Sequence, residues 1–128
     1  MSAALKKILV VDDATLVRVY YRSILEGAGF QVAEALNGLE ALEVLLTMTV
    51  DLLVVDINMP QMDGLTFLHV LRERDSPLAA IPALVTSTES AAADFTAARA
   101  AGANFYLVKP VAPEQLVELA RMLCGIPS

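Results

Sequence analysis

"VVDINMPQMDG", running from Val54 to Gly64, is the stretch on which the fold turns. With Leu52 and Leu53 before it, it reads as a buried strand, Leu52–Ile57, short and almost wholly apolar. Its one polar residue is Asp56, close to its end, and a loop broken by Pro60 and Gly64 follows at once. A carboxylate is costly to bury without a partner. The rest of the chain must therefore place something opposite Asp56.

Working outward, apolar runs alternate with helical patterns. Lys7–Val11 (KILVV) reads as a first buried strand ending on Asp12-Asp13. A helix from Ala14 to Glu26 follows, with Leu16, Val17, Tyr20, Ile24 and Leu25 on one side. Gly27–Gly29 (GAG) ends it, and Phe30–Ala35 forms a second, more polar strand of the kind found at a sheet edge. Asn37-Gly38 opens a helix through Leu39, Leu42, Leu45 and Leu46. Beyond the Asp56 strand come a helix over Gly64–Arg74 with Leu65, Leu68 and Leu71 as its stripe, and a strand over Pro82–Ser87. Pro82 belongs at that strand's start, where its missing N–H costs least. An alanine-rich helix, Ser90–Ala101, is closed by Gly102. Phe105–Val108 is the fifth strand, and Pro113–Cys124 the fifth helix, with Pro113 in the first turn.

Five strands alternating with five helices give an α/β fold, a doubly wound parallel sheet with helices on both faces. In such sheets the working site lies beyond the carboxyl ends of the strands. Strand one ends at Asp12-Asp13, strand three at Asp56, strand four at Thr86-Ser87 and strand five at Lys109-Pro110. Strand two ends without a comparable group. Three carboxylates, a hydroxyl and an ammonium thus converge on one edge.

Crowded carboxylates repel one another unless a cation joins them. Oxygen ligands from only a few side chains, with room left for waters and a phosphate, suit Mg²⁺ better than a calcium cage. No histidine or cysteine falls near these strand ends, which disfavours zinc. A carboxylate also serves as a nucleophile towards phosphorus, forming an aspartyl phosphate. The metal, the lysine and the hydroxyl would then stabilise the transferring phosphoryl oxygens. Asp56, in the middle of the array, is the natural nucleophile.

Composition narrows the classes. The 128 residues, 56% of them apolar, form one domain (1–128) with a single sizeable core. Asp51 and Asp56 interrupt the longest apolar stretch, so no membrane span is expected. The start, MSAALKK, lacks the pattern of a secretory signal. The lone Cys124 suits a reducing compartment, so a cytoplasmic location is expected. A net charge of −6 with no cluster of Lys and Arg argues against direct nucleic-acid binding. Gly27–Gly29 follows a helix instead of leading a strand into one, so it is no dinucleotide fingerprint. His69, on the third helix, reads as a surface residue.

The acidic pair after strand one, "DINMPQMDG", "VTS" and "YLVKP" together resemble the receiver domain of bacterial response regulators, the CheY-like family. The likeness covers essentially the whole chain, with the motifs in order at successive strand ends. It implies a flavodoxin-like sheet in the order 2-1-3-4-5. It implies that Asp56 accepts a phosphoryl group from a sensor histidine kinase or histidine phosphotransfer protein. Asp13 and Asp56 would hold Mg²⁺ with the backbone carbonyl of Asn58, Asp12 helping directly or through water. Thr86 and Lys109 would bind the phosphoryl oxygens, and the Lys109–Pro110 bond would be cis. Thr86 and Tyr106 would form a switch that alters the fourth-helix/fifth-strand/fifth-helix face, which controls a downstream protein target.

Two positions depart from the family. Phe105 stands where a small or polar residue is commoner, and Val111 where an aromatic is common. A partly exposed Phe105 would make the output face more apolar, suited to a partner or to a second copy in a homodimer. Asn58 and Thr88 would lie at the rim of the site. Two other readings stand beside this non-enzymatic one. A haloacid-dehalogenase-like phosphatase would need an acid/base aspartate two residues after the nucleophile, where this chain has Asn58. A constitutive binding module would keep the site unused.

Overall fold

The computed structural model describes residues 6–127. It contains one parallel sheet of five strands: β1 (Lys7–Val11), β2 (Gln31–Ala35), β3 (Leu52–Asp56), β4 (Ala83–Ser87) and β5 (Phe105–Val108). Their order is β2-β1-β3-β4-β5, so the direction of winding reverses between β1 and β3, as the resemblance implied. The helices are α1 (Thr15–Gly27), α2 (Gly38–Thr47), α3 (Gly64–Arg72), α4 (Ala92–Ala101) and α5 (Pro113–Leu123), and a 3₁₀ turn at Pro77–Ala80 precedes β4.

Strand alternation divides the core into two layers. Leu9, Val11, Leu53, Val55, Ala83 and Val85 meet Phe67, Leu71 and Ala98 of α3 and α4 on one face. Ile8, Val10, Leu52, Val54, Leu84 and Leu107 meet Tyr21, Leu25, Leu116 and Ala120 of α1 and α5 on the other. Asp12, Asp56, Thr86 and Lys109 stand two residues after Val10, Val54, Leu84 and Leu107. The same alternation therefore continues the α1/α5 layer into the polar edge.

The helices correct parts of the apolar pattern. On α1, Leu16 is 83% exposed and Tyr20 is exposed too, whereas Arg18, Tyr21 and Leu25 are buried. Polar anchoring sets this rotation: Arg18 donates to the Asp12 carbonyl at 2.7 Å and to the Glu34 carboxylate at 2.8 Å. Such charge-assisted bonds outweigh burying one more leucine. On α2, Leu39 and Leu46 face solvent and Ala41 and Leu45 fill the core. On α3, Phe67 joins Leu68 and Leu71 in full burial, while Leu65 is half-buried. This helix ends at Arg72, short of Arg74, and the Arg72 guanidinium donates to the carbonyls of Ala79, Ile81 and Gly102. The fourth helix begins at Ala92, two residues later than expected, where the Asp94 carboxylate accepts from the Ala91 N–H.

Candidate functional site

Each strand delivers its polar residue because the next turn of chain is held in place. After β1, Asp12 Oδ1 accepts from the Ala14 N–H at 2.9 Å, which stops the strand and starts α1. The Asp12 side chain therefore shapes the entry to α1 from within the acidic cluster. After β3, Asp63 caps α3 by accepting from the Thr66 N–H at 2.8 Å. Gly64 packs directly on the backbone of Asp56: a Cβ there would collide with the Asp56 carbonyl oxygen. Glycine is required at that position by close approach.

Asp12, Asp13 and Asp56 bring one carboxylate oxygen apiece to within 4.8 Å of one another. Asp12 and Asp56 are buried, and Asp13 is exposed. Lys109 Nζ lies 3.1 Å from Asp12 Oδ2 and 3.1 Å from Asp56 Oδ1. The Lys109–Pro110 bond is cis, as the resemblance implied. Burial, and after it the Asp12 charge, push the Asp56 carboxyl above its usual range, against the pull of Lys109. Burial works to lower the Lys109 ammonium, but Asp12 and Asp56 outweigh it and raise its pKa. One ammonium among three carboxylates leaves negative charge unmatched. That donor set, all oxygen with one open side at Asp13, fits a small hard cation.

Thr86 lies opposite Leu107 on one side and opposite Asp56 on the other. It is fully buried, and its Oγ1 has no hydrogen-bond partner among the described residues. Buried hydroxyls are normally satisfied, so this one stands out beside Asp56 and Lys109. Asn58 is exposed in the loop beyond Asp56, and Thr88 is exposed beyond Thr86. Tyr106 and Phe105 stand apart from the cluster. Tyr106 packs with the α3/α4 layer, its ring edge-on to Phe95 at 4.5 Å and its hydroxyl donating to the Glu89 carbonyl at 2.9 Å. Phe105, Phe95 and Val108 are all exposed, so the α4/β5 side carries a run of apolar surface. His69 is exposed, as expected. Cys124 is buried, which pushes its thiol up to about 11 and leaves it inert.

Sequence reasoning missed one group. Strand two contributes a structural carboxylate: Glu34, one residue before its end, accepts from Arg18 at 2.8 Å and from Arg22 at 2.6 Å. Arg18 in turn holds the Asp12 carbonyl, so the network props the acidic pair from behind. The available signal was helical spacing, since Arg18 shares a face with Tyr21 and Leu25 at three and seven residues' distance.

A family model for the response regulator receiver domain matches residues 8–121. Chemotaxis protein CheY1 of Helicobacter pylori is 37% identical over 121 residues, covering 93% of this chain and 97% of that one. Transcriptional regulatory protein PrrA of Mycobacterium tuberculosis is 38% identical over 117 residues, covering 91% of this chain and 49% of that longer protein. Among solved structures, chemotaxis response regulator CheY4 of Vibrio cholerae superposes with a TM-score of 0.86 at 33% identity, covering 93% of this chain and 98% of that one. No helix among the described residues is long and apolar enough to cross a membrane.

Proposed function

The chain belongs to the response regulator receiver domain family of two-component systems, and on that footing we propose that Asp56 is its phosphoryl acceptor. The observation that carries the proposal is the pairing of a buried, charge-crowded Asp56 with Lys109 at 3.1 Å and an unpartnered Thr86 hydroxyl on the adjoining strand. The donor is a phosphohistidine on a sensor kinase or phosphotransfer protein. An Asp56 carboxylate oxygen attacks phosphorus, the P–N bond breaks, and the imidazole leaves with its electron pair and takes a proton. Lys109 holds the carboxylate ionised and then pairs with a phosphoryl oxygen; the Thr86 hydroxyl donates to another. Asp12, Asp13 and Asp56, with the Asn58 carbonyl, would hold Mg²⁺, which would supply charge neutralisation at the transferring oxygens.

The output belongs to the same proposal. Thr86 and Tyr106 sit on opposite faces of the sheet, so the switch runs through the loop between them. When Thr86 turns to the phosphoryl group it draws on the Thr88–Glu89 segment, whose Glu89 carbonyl holds Tyr106. Tyr106 is released, and the surface around Phe95, Phe105 and α5 changes for a downstream protein or a second copy. The proposal assigns one signalling domain to residues 1–128, with no turnover of substrate.

Intact mass after incubation with Mg²⁺ and acetyl phosphate tests this. A single phosphate-sized gain, absent in Asp56→Asn and abolished by chelator, is expected. A folded wild type that gains no phosphate from acetyl phosphate or from a kinase overturns the acceptor role. Many phosphates released per chain would make the protein an enzyme.

A further inference from the structure

Arg72, the last residue of α3, takes no part in the acidic cluster, yet its guanidinium is the most fully bonded group on the α3/α4 side. Nε and Nη2 donate to the Gly102 carbonyl at 3.0 and 2.8 Å. Nη1 donates to the carbonyls of Ala79 and Ile81, and Nη2 also reaches Asn104 Oδ1 at 3.3 Å. A guanidinium has five N–H donors in a rigid fork, and here the five bonds use them all. Gly102 ends α4 at a φ of 111°, and a Cβ there would collide with the Arg72 side chain. Asn104 Oδ1 accepts from the Ala83 N–H at 2.8 Å, while the Asn104 N–H donates to the Ala83 carbonyl at 2.9 Å. One side chain thus ties the ends of α3 and α4 to the starts of β4 and β5.

The other end of α4 is held differently. Its N-cap residue, Ala91, has no side-chain acceptor for the first turn. The loop before it is fastened at Glu89, whose N–H donates to Ser87 Oγ at 3.0 Å and whose carbonyl accepts from the Tyr106 hydroxyl at 2.9 Å. We propose that Arg72 is the pivot of the switch: it pins the C-terminal end of α4, so that release of Tyr106 swings the N-terminal half while the last turn stays fixed. The inference rests on the reading of Asp56 as acceptor and Tyr106 as switch. A helix loose at both ends can slide or shift as a body; one pinned at a single end can only tilt or fray from the other. With ten residues, α4 is about 15 Å long, so a tilt about Gly102 moves its first turns most. The groove of about 620 Å³ between α4 and β5, lined by Phe95, Arg99, Asn104, Phe105 and Tyr106, then changes its gape at Phe95 while Asn104 stays in place.

The test is amide hydrogen exchange, residue by residue, with and without a steady supply of acetyl phosphate and Mg²⁺, phosphate uptake being confirmed by intact mass. In wild type, phosphorylation should change exchange at Glu89, Asp94 and Phe95. It should leave unchanged the amides of Gly102, Ala103 and Asn104, which donate to the carbonyls of Arg99, Ala98 and Ala83. Phosphorylated wild type in which both groups of amides change equally has moved α4 as a body, which overturns the pivot and leaves Asp56 as acceptor. Arg72→Lys keeps the charge but loses the fork. In the resting protein it should speed exchange at Gly102, Ala103 and Asn104 by about tenfold to a hundredfold, the worth of one charge-assisted hydrogen bond. Under acetyl phosphate those amides should now respond as Phe95 does. Wild-type exchange there in the variant would show that the clamp holds nothing, which also overturns the inference. The wild-type comparison decides the matter by itself if the variant does not fold. Wild type that takes up no phosphate overturns the acceptor reading and the pivot with it.

Discussion

Glu34 on β2 and Asp56 on β3 flank the same strand, β1, and meet opposite fates. Glu34 is held by two arginines, Arg18 at 2.8 Å and Arg22 at 2.6 Å. The hydrogen bond from Arg22 leads in lowering its pKa below the ordinary carboxylate range, against a smaller cost of burial. Asp56 shares one lysine with Asp12, and burial followed by the Asp12 charge raises its pKa. The chemistry of the two groups is the same, but the balance of neighbours is reversed. A carboxylate with its charge matched stabilises the fold; one left with charge unmatched costs it stability, a cost that the proposed cation would relieve.

Arg18→Ala should produce the largest change. It removes the buried partner of Glu34 and the donor to the Asp12 carbonyl in one step. A loss of about 2–4 kcal/mol is expected, the range for breaking buried charge-assisted bonds, read by urea unfolding. A loss under 1 kcal/mol would mean that the matched side carries no such load. Asp56→Asn should move the other way. It relieves the repulsion with Asp12 and frees a desolvated charge, so the apo protein should gain about 1–2 kcal/mol. Saturating Mg²⁺ should then reverse the order, because only wild type keeps the full ligand set; a hundredfold excess over Kd contributes about 2.7 kcal/mol. Asp56→Asn that destabilises the metal-free protein would break the comparison at its root.

The signs separate on acidification. Glu34 has a folded pKa below its unfolded one, so its contribution is present above the unfolded value and is lost as pH falls through the folded value. Asp56 has a folded pKa above its unfolded one, so protonation relieves it as pH falls through the folded value. Without Mg²⁺, Glu34→Gln should therefore flatten the acid limb of the stability curve and Asp56→Asn should steepen it. Thermal midpoints between neutral pH and pH 3 measure both. Parallel changes in the two variants would show that the environments do not differ as the distances indicate.

Why one of these carboxylates was visible in the sequence and the other was not is itself physical. Asp56 interrupts an apolar run, and an ionisable group in a buried strand announces a partner. Asp12, Thr86 and Lys109 fall at strand ends, and a parallel sheet brings such ends together whatever the details of packing. Glu34 sits in a half-buried edge strand, where a polar residue is ordinary, and its meaning depends on Arg18 being turned inward. Helical rotation by a few tens of degrees decides that. The leucine at position 16 pointed one way and the arginine at 18 the other, and a pattern that weighs only apolar residues follows the leucine. Tyr20 and Tyr21 present the same difficulty in its sharpest form. They are neighbours of identical chemistry, yet Tyr20 faces solvent with its hydroxyl on the Val111 carbonyl at 3.0 Å, and Tyr21 is buried in the core.

Phe105 supplies the smallest expected effect and the scale for the others. It is 41% exposed on β5 and stands on neither side of the carboxylate comparison. Phe105→Ser removes surface that is already largely in water, so unfolding should change by no more than about 0.5 kcal/mol. The acid limb should match wild type, because no titrating group is disturbed. Self-association or capture of a phosphorylation-dependent partner should weaken instead, read by sedimentation before and after acetyl phosphate. If Phe105→Ser shifted the acid limb as far as Glu34→Gln does, stability near the sheet's carboxyl edge would be diffuse, and the contrast between a matched and an unmatched carboxylate would lose its meaning. An unchanged acid limb with weakened association would place folding and recognition in separate parts of the surface, with the unmatched charge at Asp56 as the link between them.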